Sequence, residues 1–228
     1  MAQETNPVLF CWSGGKDSAM ALNVLRQQKE LRVVALLTTV TEGYERISMH
    51  GVRRSLLLRQ AHAIGLPLQE VRIPPQCVNP VYEARMREAL LSQKEKGVHY
   101  VAFGDIFLQD LREYRERNLS LVEMSAIFPI WKRDTQELAQ EFCAMGFRAV
   151  AVCIDSTKLS REFAGRELDE SFFSDLPAGV DPCGENGEFH TFVFDGPDFA
   201  QPVSLSLGER VTRGRFAYCD LRPAENPE

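Results

Sequence analysis

Residues 8–18 constrain the fold of this chain more than any other stretch. A short run of strand-forming residues ends at Trp12, a Ser-Gly-Gly turn follows, and a helix with apolar residues at helical spacing begins at Asp17. The glycines let backbone N–H groups converge, and the start of the helix adds unpaired amides that carry partial positive charge. Such a strand–turn–helix unit predicts an α/β sheet with an anion-binding cradle at its edge.

The side chains of this turn are suited to phosphate binding. Their spacing differs from Gly-x-x-x-x-Gly-Lys-Ser/Thr, which excludes the usual phosphate loop. A corner that uses glycine for geometry alone is the alternative, but two serines, a lysine and an aspartate together favour phosphate binding. The residues predicted to bind the anion are Ser13, Gly14, Gly15, Lys16, Asp17 and Ser18.

Strand and helix patterns alternate along the first half of the chain. Residues 31–40 and 98–103 have the continuous apolar character of fully buried parallel strands, with helical spacing between them. This alternation predicts right-handed βαβ crossovers and a doubly wound, mostly parallel sheet over residues 1–124. Residues 125–228 are predicted to form a smaller α+β lobe, with a β-hairpin that turns near Gly214.

Ligands of open parallel sheets collect at the carboxyl ends of the strands. Leu37 and Thr38 are therefore predicted to meet an adenine ring, although a plain strand end is an equal alternative for each. Gly104 and Asp105 follow the later strand, where the carboxylate is suited to Mg²⁺ or to a basic group of the substrate. Helix capping is the alternative role of Asp105. His50 is a weaker candidate on the same side.

Two polar segments supply further candidates. Arg112 lies in a charge-dense helix and is predicted to clamp a carboxylate or pyrophosphate; a solvated helix face is the alternative. Glu185 and Glu188 flank an Asn-Gly turn close to His190, where they are predicted to bind a metal, an ammonium or a cationic substrate. A tight turn into a strand is the plain structural alternative. Cys183 is in the same turn, and a catalytic thiol is the less favoured role for it.

Composition excludes several classes of protein. The net charge of −6 gives no general electrostatic attraction to nucleic acid. The six cysteines form no Cys-x-x-Cys pair, which argues against a zinc knuckle. No apolar run approaches the length of a membrane span, so a cytoplasmic location is expected. The second lobe is compatible with a homodimer.

Four motifs together resemble the diphthine–ammonia ligase family of the PP-loop ATP pyrophosphatase superfamily. They are SGGKDS at 13–18, GDI at 104–106, PIW at 129–131, and the run 185–191 followed by DGP at 195–197. The resemblance covers nearly the whole chain. It implies an enzyme with an adenine-nucleotide-binding α/β lobe and a smaller lobe that carries the acidic turn.

The resemblance also implies a reaction. ATP would activate the carboxylate of diphthine, a modified histidine on elongation factor two, as an acyl adenylate; ammonia would then displace AMP. By position, the loop would hold pyrophosphate and Mg²⁺, with Asp17 and Asp105 as metal ligands. The residues that it implies for catalysis are Lys16, Asp105, Arg112, Glu185 and Glu188.

The sequence departs from the family pattern on the presumed acceptor side. Asn186 and His190 stand where the family has a glycine and an acid, and Tyr114 stands where a second arginine is expected. Two alternatives to diphthine amidation therefore stay open. One is the same ATP chemistry on another acceptor, such as a small metabolite or an RNA base. The other is a non-enzymatic protein that binds adenine nucleotides.

Overall fold

Five parallel strands form the sheet that positions the loop. In the computed structural model, which describes residues 5–47 and 51–224, strands β4, β2, β1, β5 and β6 lie side by side in that order. The short β3 pairs antiparallel with the end of β2. The strands of this sheet are β1 (Asn6–Cys11), β2 (Leu31–Thr41), β3 (Arg46–Ile47), β4 (Leu68–Ile73), β5 (Tyr100–Ala102) and β6 (Ser125–Ile127).

Helices cover both faces of this sheet, as its buried strands require. Val8 and Phe10 pack on the face covered by α1 and α2, whereas Leu9 packs on the face covered by α3 and α4. The helices of this lobe are α1 (Lys16–Arg26), α2 (Arg54–Ile64), α3 (Asn79–Lys94) and α4 (Gln109–Ser120). The predicted doubly wound α/β fold is confirmed. The chain order of the strands reverses on either side of β1, and a ligand crevice is expected there.

The second lobe is built on an antiparallel sheet with the order β8-β7-β10-β9. Its apolar core is continuous with the α1 and α2 face of the first sheet. Gly214 turns the predicted hairpin with a φ of 59°. The elements are α5 (Thr135–Ala144), β7 (Arg148–Asp155), α6 (Glu170–Ser174), β8 (Phe189–Asp195), β9 (Leu205–Arg213) and β10 (Phe216–Pro223), with a 3₁₀ turn at Arg161–Phe163.

The division of the chain near residue 125 stays a prediction. Strand β6 follows that point in sequence and still pairs with β5 of the parallel sheet. Among residues 5–47 and 51–224, no helix has the length and apolar character needed to cross a bilayer.

A buried amide joins the loop to both lobes. Gln60, on α2, is fully buried; its Oε1 accepts a hydrogen bond from Trp12 Nε1 at 3.0 Å. Its Nε2 donates to the carbonyl of Gly14 at 3.0 Å and to the carbonyl of Val193 at 2.5 Å. Three segments that are far apart in sequence therefore meet at one side chain.

We expect Gln60→Leu to lower the free energy of unfolding by about 2–4 kcal/mol, because it leaves several buried polar groups without partners. Urea denaturation measures the loss. Gln93→Leu is the matched control: Gln93 is also buried, but its amide nitrogen bonds only to the side chain of Gln69. Equal losses in the two variants would contradict the joining role of Gln60.

Candidate functional site

A cavity of about 530 Å³ opens at the carboxyl ends of β1 and β5. One side is formed by the loop and the start of α1, and the opposite side by the acidic turn that precedes β8. Its polar lining includes Ser13, Gly15, Asp17, Ser18, Gly104, Asp105, Arg115, Glu185, Asn186, His190 and Thr191. The structure thus brings together the loop, the end of β5 and the acidic turn, which lie in three separate parts of the sequence.

The loop has the geometry of an anion cradle. Gly14 has a φ of 79°, and a Cβ there would lie 2.8 Å from Gln60 Oε1, so glycine is required at this position. The Ser13 and Ser18 hydroxyls lie 3.0 Å apart. Asp17 and Ser18 lie in the first turn of α1, where backbone N–H groups have no carbonyl partner within the helix. These amides and hydroxyls can bind phosphate oxygens at the cavity edge.

Gly104 allows the end of β5 to pack against the start of α1. A Cβ on Gly104 would lie 2.9 Å from Asp17 C and 2.9 Å from Ser18 N, both of which are backbone atoms. Gly104 therefore lines the cavity and also lets the backbone of Asp17 and Ser18, in the anion cradle, pack closely against the end of β5.

Lys16 contacts protein atoms and is absent from the cavity lining. Its backbone N–H donates to Thr191 Oγ1 at 2.9 Å, and its Nζ donates to the carbonyl of Cys183 at 2.6 Å and to Asp17. Burial alone would lower the pKa of this ammonium, but the charge of Asp17 raises it above its ordinary value. The Lys16 ammonium thus connects the acidic turn to the loop, and the phosphate-binding and catalytic roles predicted for Lys16 stay predictions.

The two glutamates of the turn have different surroundings. Glu185 lines the cavity and accepts a hydrogen bond from the N–H of Ile106 at 2.9 Å. Burial raises the pKa of Glu185 to about 7. Glu188 is buried outside the lining, where its Oε1 accepts from the N–H of Asp181 and from Asn186 Nδ2. The structure therefore presents Glu185 to a ligand and uses Glu188 to hold the turn together.

Within α4, Arg115 lines the cavity, and the sequence did not single it out. Its Nη2 donates to Asp105 Oδ1 at 3.0 Å, and its Nε lies 2.7 Å from Asp105 Oδ2. Arg112 lies away from the lining, 4.8 Å from the ring centroids of both Phe128 and Trp131. The role predicted for Arg112 stays a prediction. Only the density of arginines in α4 hinted at Arg115.

A second cleft, of about 220 Å³, adjoins the loop at the end of β2. Leu37 and Thr38 both line it, together with Tyr82 and Met86 from α3. Ser13 lines this cleft as well as the larger cavity. An adenosine in the cleft would lie next to Ser13 of the loop, and the adenine-binding role of Leu37 and Thr38 stays a prediction.

The remaining candidates differ in their protonation. Burial raises the pKa of Cys183 to about 12, which keeps the sulfur as a thiol and disfavours a nucleophilic role. Burial lowers the pKa of His190, so its imidazole is neutral at pH 7. His50 lies outside the described residues.

A divalent metal would find few protein ligands here. The described residues contain no group of three or more His, Cys, Asp or Glu side chains that could hold an ion. Asp17 fits a site shared with phosphates, because Lys16 contacts its Oδ1 and its side chain still lines the cavity. The carboxylate of Asp105 is paired with Arg115. Asp17 is therefore the better-placed of the two predicted Mg²⁺ ligands.

We expect Gly104→Ala to weaken ATP binding by at least tenfold, because the added methyl group must displace the backbone at the start of α1. Isothermal titration calorimetry with MgATP measures the change. Gly146→Ala is the control: Gly146 has a φ of 79° with open space around the position of a Cβ, so it strains the backbone far from the loop. Unchanged ATP affinity in Gly104→Ala would contradict the packing role of Gly104.

Comparisons with known proteins match both lobes. The family described as diphthamide synthase N-terminal domain matches residues 7–124, and the diphthamide synthase C-terminal domain matches residues 134–226. A Rattus norvegicus protein named diphthine–ammonia ligase is 24% identical, over 92% of this chain and 86% of its own length. Its Schizosaccharomyces pombe namesake is 25% identical, over 94% of this chain and 38% of its own length.

Among solved structures, U34-tRNA thiolase NcsA from Methanococcus maripaludis, with its [4Fe-4S] cluster, resembles 61% of this chain. The match covers 58% of that chain with 16% identity and a TM-score of 0.37. A likeness this low carries no argument about function.

Proposed function

Because the chain belongs to the diphthamide synthase family, and is an ATP-dependent ligase, we propose that it adenylates the carboxylate of diphthine and transfers ammonia to it. The products would be the amide, AMP and pyrophosphate. One observation supports this reaction most. The loop at residues 13–18 and Glu185 line the same cavity, and the cleft lined by Leu37 and Thr38 adjoins it.

In the first step, an oxygen of the acceptor carboxylate would attack the α-phosphorus of ATP, and pyrophosphate would leave. The amides of Asp17 and Ser18, in the first turn of α1, would donate to the leaving pyrophosphate as it gains charge, and fixed donors at such a point lower the barrier. Positioning the carboxylate in line with the α-phosphorus supplies much of the remaining acceleration. No nucleophilic side chain is needed, in keeping with the protonated thiol of Cys183.

In the second step, ammonia would attack the acyl carbon and expel AMP, and a proton must leave the nitrogen. Glu185 would accept it, because Glu185 lines the same cavity as the loop and the end of β5. A pKa of about 7 allows this carboxylate to accept and release a proton near neutral pH.

Mg²⁺, when bound with ATP, would neutralise charge on the phosphates. Asp17 is the residue that would hold it beside the loop. Asp105, the other predicted ligand, would instead orient Arg115.

The identity of the acceptor substrate is a separate part of the proposal. The relatives are named for diphthine, and Asn186 and His190, where the sequence departs from the family pattern, line the cavity. We propose diphthine on elongation factor two as the acceptor, ammonia as the nitrogen donor and a homodimer as the assembly. Another carboxylate acceptor would use the same ATP half of the site.

Product analysis tests the reaction. We expect MgATP, ammonium and elongation factor two that carries diphthine to yield AMP, pyrophosphate and amide in equal amounts. The matched control is elongation factor two with an unmodified histidine, which should give no AMP above background. ADP and phosphate as products would contradict adenylation. AMP formed only with a different carboxylate would reassign the acceptor.

The pH dependence of kcat/KM tests Glu185. Glu185 is protonated below a pKa of about 7 and ionised above it, so the rate should rise as the pH increases through that value. Because ammonium also loses its proton as the pH rises, the wild type and Glu185→Gln are compared at a constant concentration of free ammonia. We expect a loss of about 10²–10⁴-fold and no inflection near pH 7 in Glu185→Gln. An inflection retained in Glu185→Gln would assign the titration to another group.

A further inference from the structure

Arg115 lies where the two cavities of the site meet. It lines the larger cavity beside the loop and also the cleft beside Leu37 and Thr38; among residues 5–47 and 51–224, Cys11 and Ser13 are the other two that line both. About 26% of the Arg115 side chain is exposed, so this cation is mostly buried but keeps access to solvent.

The guanidinium is held in a fixed orientation. The Asp105 carboxylate contacts the Nε and Nη2 atoms of the guanidinium. The guanidinium carbon lies 4.4 Å from the centroid of the Phe103 ring. Asp105 is only 7% exposed, which makes it a rigid support. In the described part of the chain, no hydrogen bond leaves Arg115 Nη1. One N–H edge of a preorganised cation is therefore available to an anionic ligand.

The proposed reaction determines which atoms of ATP would meet this edge. With adenosine in the cleft and pyrophosphate at the loop, the α-phosphoryl group must lie between them, at the residues that the two cavities share. We propose that Arg115 is a catalytic residue that binds the non-bridging oxygens of the α-phosphoryl group through its Nη1 edge. This inference rests on the proposed function and extends it to a residue of α4.

The chemistry of that group favours an arginine. As the carboxylate attacks and pyrophosphate departs, negative charge stays on the α-phosphoryl oxygens, and a planar fork of N–H donors matches their geometry. Arg215 also lines the larger cavity, but it is absent from the cleft and lies 3.3 Å from Asp155. Arg115 is thus the cation placed at the α-phosphoryl position.

Comparison of AMP with adenosine tests the contact without turnover. AMP has the α-phosphoryl group and adenosine lacks it, so calorimetry on Arg115→Lys and Arg115→Ala should show AMP affinity reduced about 10–100-fold, with adenosine affinity unchanged. Arg117→Ala is the matched control, because Arg117 is exposed on the same helix and lies over the Tyr114 ring. It should bind both ligands as the wild type does.

A double variant separates an effect on ligand binding from an effect on folding. Arg115→Ala leaves the Asp105 carboxylate buried without a partner, so the same comparison is made in the double variant Asp105→Asn, Arg115→Ala. In acceptor-dependent AMP formation we expect kcat of Arg115→Ala to fall about 10²–10³-fold, with partial recovery in Arg115→Lys.

The outcomes distinguish the two proposals. Equal losses of AMP and adenosine affinity, or no loss of either, would overturn the role of Arg115 while leaving the ligase reaction in place. Loss of AMP affinity alone, in a protein that shows no acceptor-dependent turnover, would overturn the ligase reaction and support the contact. A wild-type protein that binds neither ATP nor AMP would overturn both.

Discussion

The docking of β8 onto the loop is the interaction on which the rest of the site depends. The N–H of Val193 donates to the carbonyl of Gly14 at 2.9 Å, and Thr191 Oγ1 accepts from the N–H of Lys16. With Gln60, these contacts satisfy the inward-facing polar groups of a glycine turn that could not be buried otherwise. The N–H groups that remain face the cavity. A strand of the second lobe thereby sets the shape of a site whose phosphate-binding residues belong to the first.

Charge in the site is divided between two paired cations. Lys16 is buried against Asp17 and the carbonyl of Cys183, whereas Arg115 is paired with Asp105 and still reaches the cavity. Each buried cation has an acidic partner, as burial of charge demands. The two cations differ in exposure: the side chain of Lys16 is 2% exposed and that of Arg115 is 26% exposed, which supports the ligand-binding role proposed for Arg115. Glu185 is left as the cavity carboxylate whose protonation changes near neutral pH.

The sequence predicted the sheet and the loop well, because both are local patterns. Buried parallel strands are continuous apolar runs, and a Ser-Gly-Gly turn before a helix marks a cradle without knowledge of the rest of the chain. It could not predict which side chains of the site line the cavity. The Lys16 ammonium donates to Asp17 and to the distant carbonyl of Cys183, and Arg115 rather than Arg112 lines the cavity. Both outcomes depend on contacts between residues far apart in sequence.

The contact between Lys16 and Thr191 joins residues 175 positions apart. During synthesis, the loop and the parallel sheet emerge long before β8 is available to accept the loop amide. A chain released only to the end of the first lobe would lack the partners that shape its anion cradle. Contacts of such long sequence separation form late in folding. The hydrogen bonds that shape the loop are therefore complete only after β8 has been synthesised.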